Sequence, residues 1–413
     1  MARWTEISGG VTAPKGFRAA GIAAGLKPSG SPDLALIYSE VEAIAAGIFT
    51  QSQVRAACID YCMQSLAEKP GCQAILVNSG QANAATGQQG WDDAQASAQW
   101  VASALEIEPG SVLLASTGVI GQRIAVGPME AGVPKLVAAL SETGGDDAAK
   151  AILTTDLITK SIALETEING RPVRVGGMSK GSGMIHPNMA TMLAFVTCDA
   201  AVSPQIWQKM TARAGDRSFN QITVDGDTST NDSLFALTNG QSRTPAITQW
   251  GPEAEILEGM LTAVCIHLAK AIARDGEGAT CLIEVQVTGA PSEGGAQAIA
   301  KTIAGSSLVK SAVFGRDPNW GRIAGAAGRA GVTFDQNDLC VTLGDIALMK
   351  NGQPLSFDRN VANAYLCQAA AGEYLKTDTV LIQVRVGDGP GRGTAWGCDL
   401  SYDYVKINAE YTT

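Results

Sequence analysis

Residues 180–193 read Lys-Gly-Ser-Gly-Met-Ile-His-Pro-Asn-Met-Ala-Thr-Met-Leu and lie close to the middle of the 413-residue chain. The glycines allow unusual backbone angles and Pro187 restrains the residue before it, so this loop can hold a peptide bond under strain. After Thr191 the sequence becomes apolar and extended, which predicts a buried strand. The stretch fits a self-cleavage junction, in which the Ala190–Thr191 bond breaks and Thr191 becomes a new chain start. The residues by themselves also fit an uncut glycine-rich loop that leads into a core strand.

A threonine at a chain start carries a nucleophile and a base on one residue. Its hydroxyl is a weak nucleophile until a base accepts the proton, and a free α-amino group has a pKa of about 7.7–8. The chain has only two histidines, His186 in this loop and His267 in a run with helical periodicity. A Ser-His-Asp or Cys-His site would have to use one of them. We therefore predict that acyl transfer in this chain would use an α-amino group as its base.

The composition excludes several classes of protein. The formal net charge is −10, which argues against a nucleic-acid-binding protein because such a protein needs a basic face. Two histidines are too few for a histidine-rich metal site. The nine cysteines form no Cys-x-x-Cys pair, a pattern that indicates reduced thiols in a cytosol. We expect neither a signal peptide at the N-terminus nor an apolar run long enough to span a membrane.

Hydrophobic periodicity predicts strands and helices that follow each other along the whole chain. Asn169-Gly170 between two alternating runs predicts a hairpin over residues 161–178. Residues 311–323 are interpreted as a strand-to-helix turn. The glycine-rich segment 387–393 is followed by a strand pattern and not by a helix, which argues against a phosphate-binding loop. The remaining strands are predicted over residues 33–38, 45–50, 74–78, 111–116, 281–287 and 379–386. The remaining helices are predicted over residues 51–66, 91–105, 129–140, 146–153, 204–215, 253–272, 294–305 and 361–371.

Three further segments carry candidate functional residues. Thr117-Gly118 at the end of a predicted strand can direct a hydroxyl and a backbone N–H at one point, as in an oxyanion hole, although a plain turn with Thr117 as a helix N-cap also fits. Glu277 lies between two glycines and fits either a substrate-binding site or an exposed loop. The acidic segment 225–236 fails as a calcium loop, because it lacks glycine at the sixth position and a bidentate glutamate at the twelfth.

The sequence from Lys180 to Met192 resembles the processing signature of the ornithine acetyltransferase family, also called glutamate N-acetyltransferase. The resemblance covers residues 8–413 and includes three further motifs. Gln81 stands where the family has asparagine, Ala85 where it has cysteine, and Cys281 where it commonly has lysine. These three departures lie beside the matching motifs and do not involve Thr191. The three motifs are Ser-Thr-Gly-Val-Ile-Gly at 116–121, Asp-Thr-Ser-Thr-Asn-Asp at 227–232, and Asp-Gly-Glu-Gly-Ala-Thr at 275–280.

The resemblance implies an α/β fold, a layered helix–sheet sandwich self-cleaved into chains 1–190 and 191–413. Two copies of each chain would form a heterotetramer. The enzyme would be cytoplasmic and would move the acetyl group of N2-acetyl-L-ornithine to L-glutamate by a ping-pong mechanism in arginine biosynthesis. No metal or cofactor is implied. Acetyl-CoA as a second acetyl donor is left open, and we favour a bifunctional enzyme.

The resemblance also implies roles for individual residues. Thr191 would be the nucleophile, released by cleavage after Ala190, and Thr117 and Gly118 would form the oxyanion hole. The segment 227–232 is interpreted as a hydrogen-bonded turn near the site. The implied substrate contacts are Thr154, Lys180, Thr191, Glu277, Asn408 and Thr413.

Two other functions stay open at this point. One is a self-processing amidase or aminopeptidase of similar architecture, in which water takes the acyl group. The other is a binding protein without catalytic activity, whose chain is not cut.

Overall fold

Two β-sheets organise the chain in the computed structural model, which describes residues 4–186 and 192–410. The predicted cleavage residues Ala190 and Thr191 and the predicted substrate contact Thr413 lie outside the described residues. The strands are β1 Thr5–Ile7, β2 Phe17–Ile22, β3 Leu34–Phe49, β4 Gly71–Gln81, β5 Val112–Val119, β6 Lys160–Ile168, β7 Arg171–Lys180, β8 Leu193–Cys198, β9 Ser233–Thr238, β10 Leu282–Gly289, β11 Cys340–Leu343, β12 Ile346–Lys350, β13 Gln353–Pro354, β14 Thr379–Arg385 and β15 Gly389–Cys398. The helices are α1 Ala57–Glu68, α2 Gly87–Leu105, α3 Val126–Ala138, α4 Gly145–Ala151, α5 Pro204–Asp216, α6 Pro252–Arg274, α7 Glu293–Ala304, α8 Ser307–Phe314, α9 Trp320–Gly328, α10 Arg359–Ala370 and α11 Tyr402–Glu410.

The larger sheet joins strands from both sides of the predicted cleavage point. Its strand order is β1-β6-β7-β8-β9-β3-β4-β5, with β2 also paired to β3. Strand β8 pairs antiparallel with β7 and parallel with β9, and β9 pairs antiparallel with β3. The two strands that follow residue 191 therefore lie between strands that precede residue 190. The chain on either side of the predicted cut contributes to one continuous sheet.

Helices cover both faces of this sheet. The buried core on one face combines β3–β5 with α1–α4, and the core on the other face combines β6–β9 with α5 and α6. Strand β8 alternates between them, since Phe195 packs in the first core and Val196 in the second. All six β8 residues are buried. Burial on both faces explains why the strand is a nearly continuous apolar run, as the sequence predicted.

The smaller sheet has the order β13-β12-β11-β14-β10-β15. Helices α7 and α9 share its main core. Helix α6 approaches it from the other side, where Lys270 Nζ lies 3.0 Å from Glu284 Oε2 on β10. Helix α6 thus contacts both sheets. The described chain is an α/β sandwich with mixed sheets, which confirms the predicted α/β class and its layers.

Two local predictions were wrong. Residues 34–49 form one strand instead of two. Strand β3 passes through a register shift between Tyr38 and Ala43, and it pairs with β4 on both sides of that shift and with β9 over residues 44–49. Residues 307–314 form helix α8 instead of a strand. The Ser306 hydroxyl caps this helix by accepting from the Val309 N–H, and α9 follows after a short loop.

Helix α6 also departs from expectation. By length and composition it is apolar enough to cross a membrane, although no such run was expected. Leu257, Leu261 and Leu268 on this helix are buried in the core. A helix covered on opposite sides is apolar on most of its circumference, so packing between the two sheets accounts for the composition of α6.

Candidate active site

A cavity of about 140 Å³ lies where the ends of β5 and β7 approach the start of β8. Met192, the residue after Thr191 in the sequence, also lines it. The structure therefore brings together every predicted catalytic and substrate-binding residue that it describes. These residues are Thr117, Gly118, Thr154, Lys180, Glu277 and Asn408.

Thr117 and Gly118 lie near the end of β5, where β4 runs parallel beside them. Gly118 pairs with Gly80 in the register of the two strands. Its φ of +129° lies in the region that favours glycine, and a Cβ at this position would lie 2.3 Å from the carbonyl carbon of Gly80. Only glycine fits this close approach of two backbones. The local packing thus explains the glycine without reference to function.

A buried ionic network lies beneath the cavity. Lys160 Nζ lies 2.8 Å from Asp156 Oδ1 and 2.6 Å from Asp275 Oδ2. Lys180 Nζ lies 3.6 Å from Asp156 Oδ2 and donates to Thr154 Oγ1 at 2.8 Å. The positive charges of two lysines and the negative charges of two aspartates therefore compensate each other in a region that excludes water, as buried charges require.

Asp156 is the centre of this network. Its carboxylate also accepts from the backbone N–H of Thr154 at 3.1 Å and of Gly181 at 2.6 Å. Burial alone would raise the pKa of Asp156, but Lys180, Lys160 and the hydrogen bond from the Gly181 N–H outweigh burial and lower the pKa below its usual value. Burial raises the pKa of Asp275 in spite of Lys160. Asp156 thus stays ionised and holds the 154–156 segment against the end of β7.

Glu277 and Asn408 meet in the lining of the same cavity. Asn408 Nδ2 donates to Glu277 Oε2 at 2.7 Å, which joins helix α11 to the loop after α6. Glu277 is only 8% exposed, so the alternative of an exposed loop acid is wrong. A Cβ at Gly183 would lie 2.6 Å from Glu277 Oε1, so the absence of a side chain there leaves room for the carboxylate.

The segment 227–232 forms a hydrogen-bonded turn along the cavity, as the sequence predicted. The Ser229 N–H donates to Asp232 Oδ2 at 3.1 Å, and Thr50 Oγ1 donates to the Ser229 carbonyl at 2.9 Å. Residues 229–232 line the cavity. This turn comes directly before β9 and therefore lies beside the start of β8.

The two histidines lie outside the cavity lining. His186 Nδ1 lies 2.9 Å from Thr223 Oγ1, and burial with the nearby Lys301 lowers the pKa of His186 to about 4. Burial also lowers the pKa of His267. Within residues 4–186 and 192–410, no group of three or more His, Cys, Asp and Glu side chains is arranged to hold a metal ion.

Sequence reasoning missed Asp156, Lys160 and Asp275. Asp156 follows Thr154 closely, and Asp275 starts a motif that was noticed for Glu277. Their pairing depends on Asp275 approaching Lys160 across 115 residues of sequence. No local pattern carries that information.

Lys160→Met is expected to destabilise the fold by about 3–5 kcal/mol, because it leaves the Asp156 and Asp275 carboxylates buried without their shared cation. The pKa of these carboxyl groups should rise, so the folded variant binds protons above about pH 4 that the unfolded chain does not. The loss of stability relative to the unchanged chain should therefore be largest near neutral pH and shrink as the pH falls towards 4. Denaturant unfolding at several pH values measures it.

The matched control is Lys150→Met, since the Lys150 side chain is 58% exposed and lies 3.5 Å from Asp147. It should change the free energy of unfolding by less than about 0.5 kcal/mol at any of these pH values. A loss of stability in Lys160→Met that does not depend on pH would contradict the role of Lys160 as the cation shared by Asp156 and Asp275.

Comparisons with known proteins agree over the whole chain. The model of the ArgJ family matches residues 18–413. The chain is 72% identical to the arginine biosynthesis bifunctional protein ArgJ of Synechocystis sp. and 73% identical to ArgJ 1 of Nostoc sp., each over 413 residues that cover all of both chains. It is 44% identical to the ornithine acetyltransferase of Mycobacterium tuberculosis, solved in complex with ornithine, over 45% of this chain and 100% of that chain, with a TM-score of 0.43. From the family match and these identities, the chain belongs to the ArgJ family.

Proposed function

We propose that this protein is a bifunctional enzyme of arginine biosynthesis that moves the acetyl group of N2-acetyl-L-ornithine to L-glutamate. It would also acetylate glutamate from acetyl-CoA. The relatives named above are bifunctional arginine biosynthesis proteins, and a solved relative holds ornithine. The observation that carries the proposal is the cavity, where Thr117, Gly118, Lys180 and Glu277 meet beside Met192.

The reaction proceeds by covalent catalysis on Thr191. Its Oγ attacks the acetamide carbonyl while its own α-amino group takes the hydroxyl proton. The Thr117 hydroxyl and the Gly118 N–H stabilise the negative charge that develops on the carbonyl oxygen. The C–N bond then breaks, the proton passes to the departing amine, and ornithine leaves. The amine of glutamate attacks the acetyl ester and releases the Thr191 hydroxyl.

Charged side chains of opposite sign line the cavity and suit the substrates. Lys180 offers an ammonium group to a substrate carboxylate, with Thr154 beside it. Glu277 also lines the cavity, and its carboxylate suits the side-chain amine of ornithine. Asn408 orients Glu277 through its amide, and Thr413 completes the predicted contacts. No metal ion or cofactor is required for any of these steps.

The same nucleophile first releases its own amino group. Thr191 Oγ attacks the Ala190 carbonyl, the acyl group moves from nitrogen to oxygen, and water hydrolyses the ester. Fragments 1–190 and 191–413 then stay together, because β8 and β9 are hydrogen-bonded to strands of the first fragment on both edges. Two such pairs form the heterotetramer of this proposal.

We place the enzyme in the cytoplasm. All nine cysteines are free thiols, as expected in a reducing compartment. The plant relatives are named as chloroplastic proteins.

Incubation of the purified protein with N2-acetylornithine, with and without glutamate, tests the proposed reaction. We expect acetylglutamate with glutamate present and little free acetate without it. Thr191→Ala should yield one uncut chain without activity, whereas the unchanged protein should yield two fragments on a denaturing gel and an N-terminal sequence beginning at Thr191. Free acetate as the main product would favour an amidohydrolase. An active uncut chain would contradict the proposal that Thr191 is the nucleophile.

Thr117→Val tests the oxyanion hole separately. Valine keeps the shape of threonine but has no hydroxyl, so the variant loses one donor to the developing negative charge. We expect kcat to fall by roughly 10²- to 10³-fold, about 2.7–4 kcal/mol of barrier, with KM little changed. Thr302→Val, at a half-buried position on α7 that does not line the cavity, should leave both constants unchanged. An unchanged kcat in Thr117→Val would exclude this hydroxyl from the hole.

A further inference from the structure

Asn231 lies on the turn before β9 and is 5% exposed. Its side-chain amide reaches the ends of two strands that belong to the first part of the chain. Nδ2 donates to the Ser116 carbonyl at 2.8 Å and to the Ala82 carbonyl at 2.5 Å. Oδ1 accepts from Thr230 Oγ1 at 2.6 Å, which fixes the orientation of the amide.

These bonds use all the donor capacity of the side chain. A carboxamide has two N–H groups, and both point at backbone carbonyls. Although Asn231 lines the cavity, it has no donor left for a substrate. Its chemistry therefore suits the support of neighbouring backbone.

The two carbonyls flank the Thr117–Gly118 pair. The Ser116 carbonyl belongs to the planar peptide unit that ends at the Cα of Thr117, so holding this oxygen fixes the plane from which the Thr117 side chain projects. The Ala82 N–H donates to the Val119 carbonyl at 2.9 Å on the other side of Gly118. Asn231 thus holds the backbone before Thr117 directly and the backbone after Gly118 through Ala82.

The same turn also holds the start of β8. The Ser233 N–H donates to the Met192 carbonyl at 2.8 Å, and Ser233 Oγ donates to the Asn231 carbonyl at 2.9 Å. Residues 231–233 therefore connect Met192, which follows Thr191, to the strand that carries Thr117 and Gly118.

We infer that Asn231 is a positioning residue of the oxyanion hole, which sets the Thr117 hydroxyl and the Gly118 N–H relative to the nucleophile strand. The inference rests on the proposed function. Small misplacements of catalytic groups are costly, and about 1 Å can reduce a rate by 10²-fold. Loss of the amide should therefore lower kcat more than it changes KM.

Asn231→Ala and the milder Asn231→Ser test the inference, with rates normalised to the cleaved fraction. We expect kcat to fall by roughly 10- to 100-fold in Asn231→Ala and by less in Asn231→Ser, with KM little changed in both. The control is Asn239→Ala. Asn239 is another buried amide, which donates to the Lys15 carbonyl at 2.9 Å and to Ser39 Oγ at 3.3 Å and does not line the cavity. It should lose stability to a similar degree and keep its kcat.

A double-mutant cycle with Thr117→Val separates positioning from general destabilisation. If Asn231 acts through the Thr117 hydroxyl, Asn231→Ala should cost much less in kcat once that hydroxyl is gone. Equal costs in both backgrounds, or a fall in kcat no larger than that of Asn239→Ala, would overturn the inference and leave the oxyanion hole intact. An unchanged kcat in Thr117→Val alone would instead refute the hole on which the inference rests.

Discussion

The structure depends on the insertion of β8 and β9 into a sheet built by the preceding part of the chain. Strand β8 is hydrogen-bonded on both edges and buried on both faces, so its start has one fixed position relative to β5 and β7. The cavity forms at this point because β7 ends and β8 begins there. In the proposed mechanism, this strand sets the position of the nucleophile relative to Thr117 and Gly118 near the end of β5.

Buried ionic interactions fix the positions of Thr154 and Lys180 in the lining of the cavity. Asp156 holds Thr154, the Gly181 N–H and Lys160 at once, and it lies 3.6 Å from the ammonium group of Lys180. Burial of these charges is costly, and the balance of two cations against two anions offsets that cost. Lys180 therefore lines the cavity, and Thr154 and Asp156 set the position of its ammonium group. Lys180 was predicted from the processing signature and Thr154 from the family resemblance, but the sequence offered no means to find charges that pair across more than a hundred residues.

Much of the fold near the site was predictable because local physics dominates there. Strand β8 is a short apolar run covered on both faces, and the β6–β7 hairpin turns at Asn169-Gly170, where both residues have positive φ. Predictions failed where tertiary pairing overrides local pattern. Strand β3 joins the two strands predicted over residues 33–38 and 45–50, because pairing with β4 and β9 keeps the segment between them extended. Helix α6 reads as a membrane span because two sheets cover it.

The central claim is that acetyl transfer passes through an ester on the new N-terminal residue. Mass measurement and peptide mapping after brief incubation with N2-acetyl-L-ornithine, without glutamate and with acid quenching, test it most directly. The account predicts that the fragment starting at Thr191 gains the mass of one acetyl group, that the group maps to the Thr191 side chain, and that added glutamate removes it. Turnover without any acetylated fragment, or an acetyl group on another residue, would contradict the account.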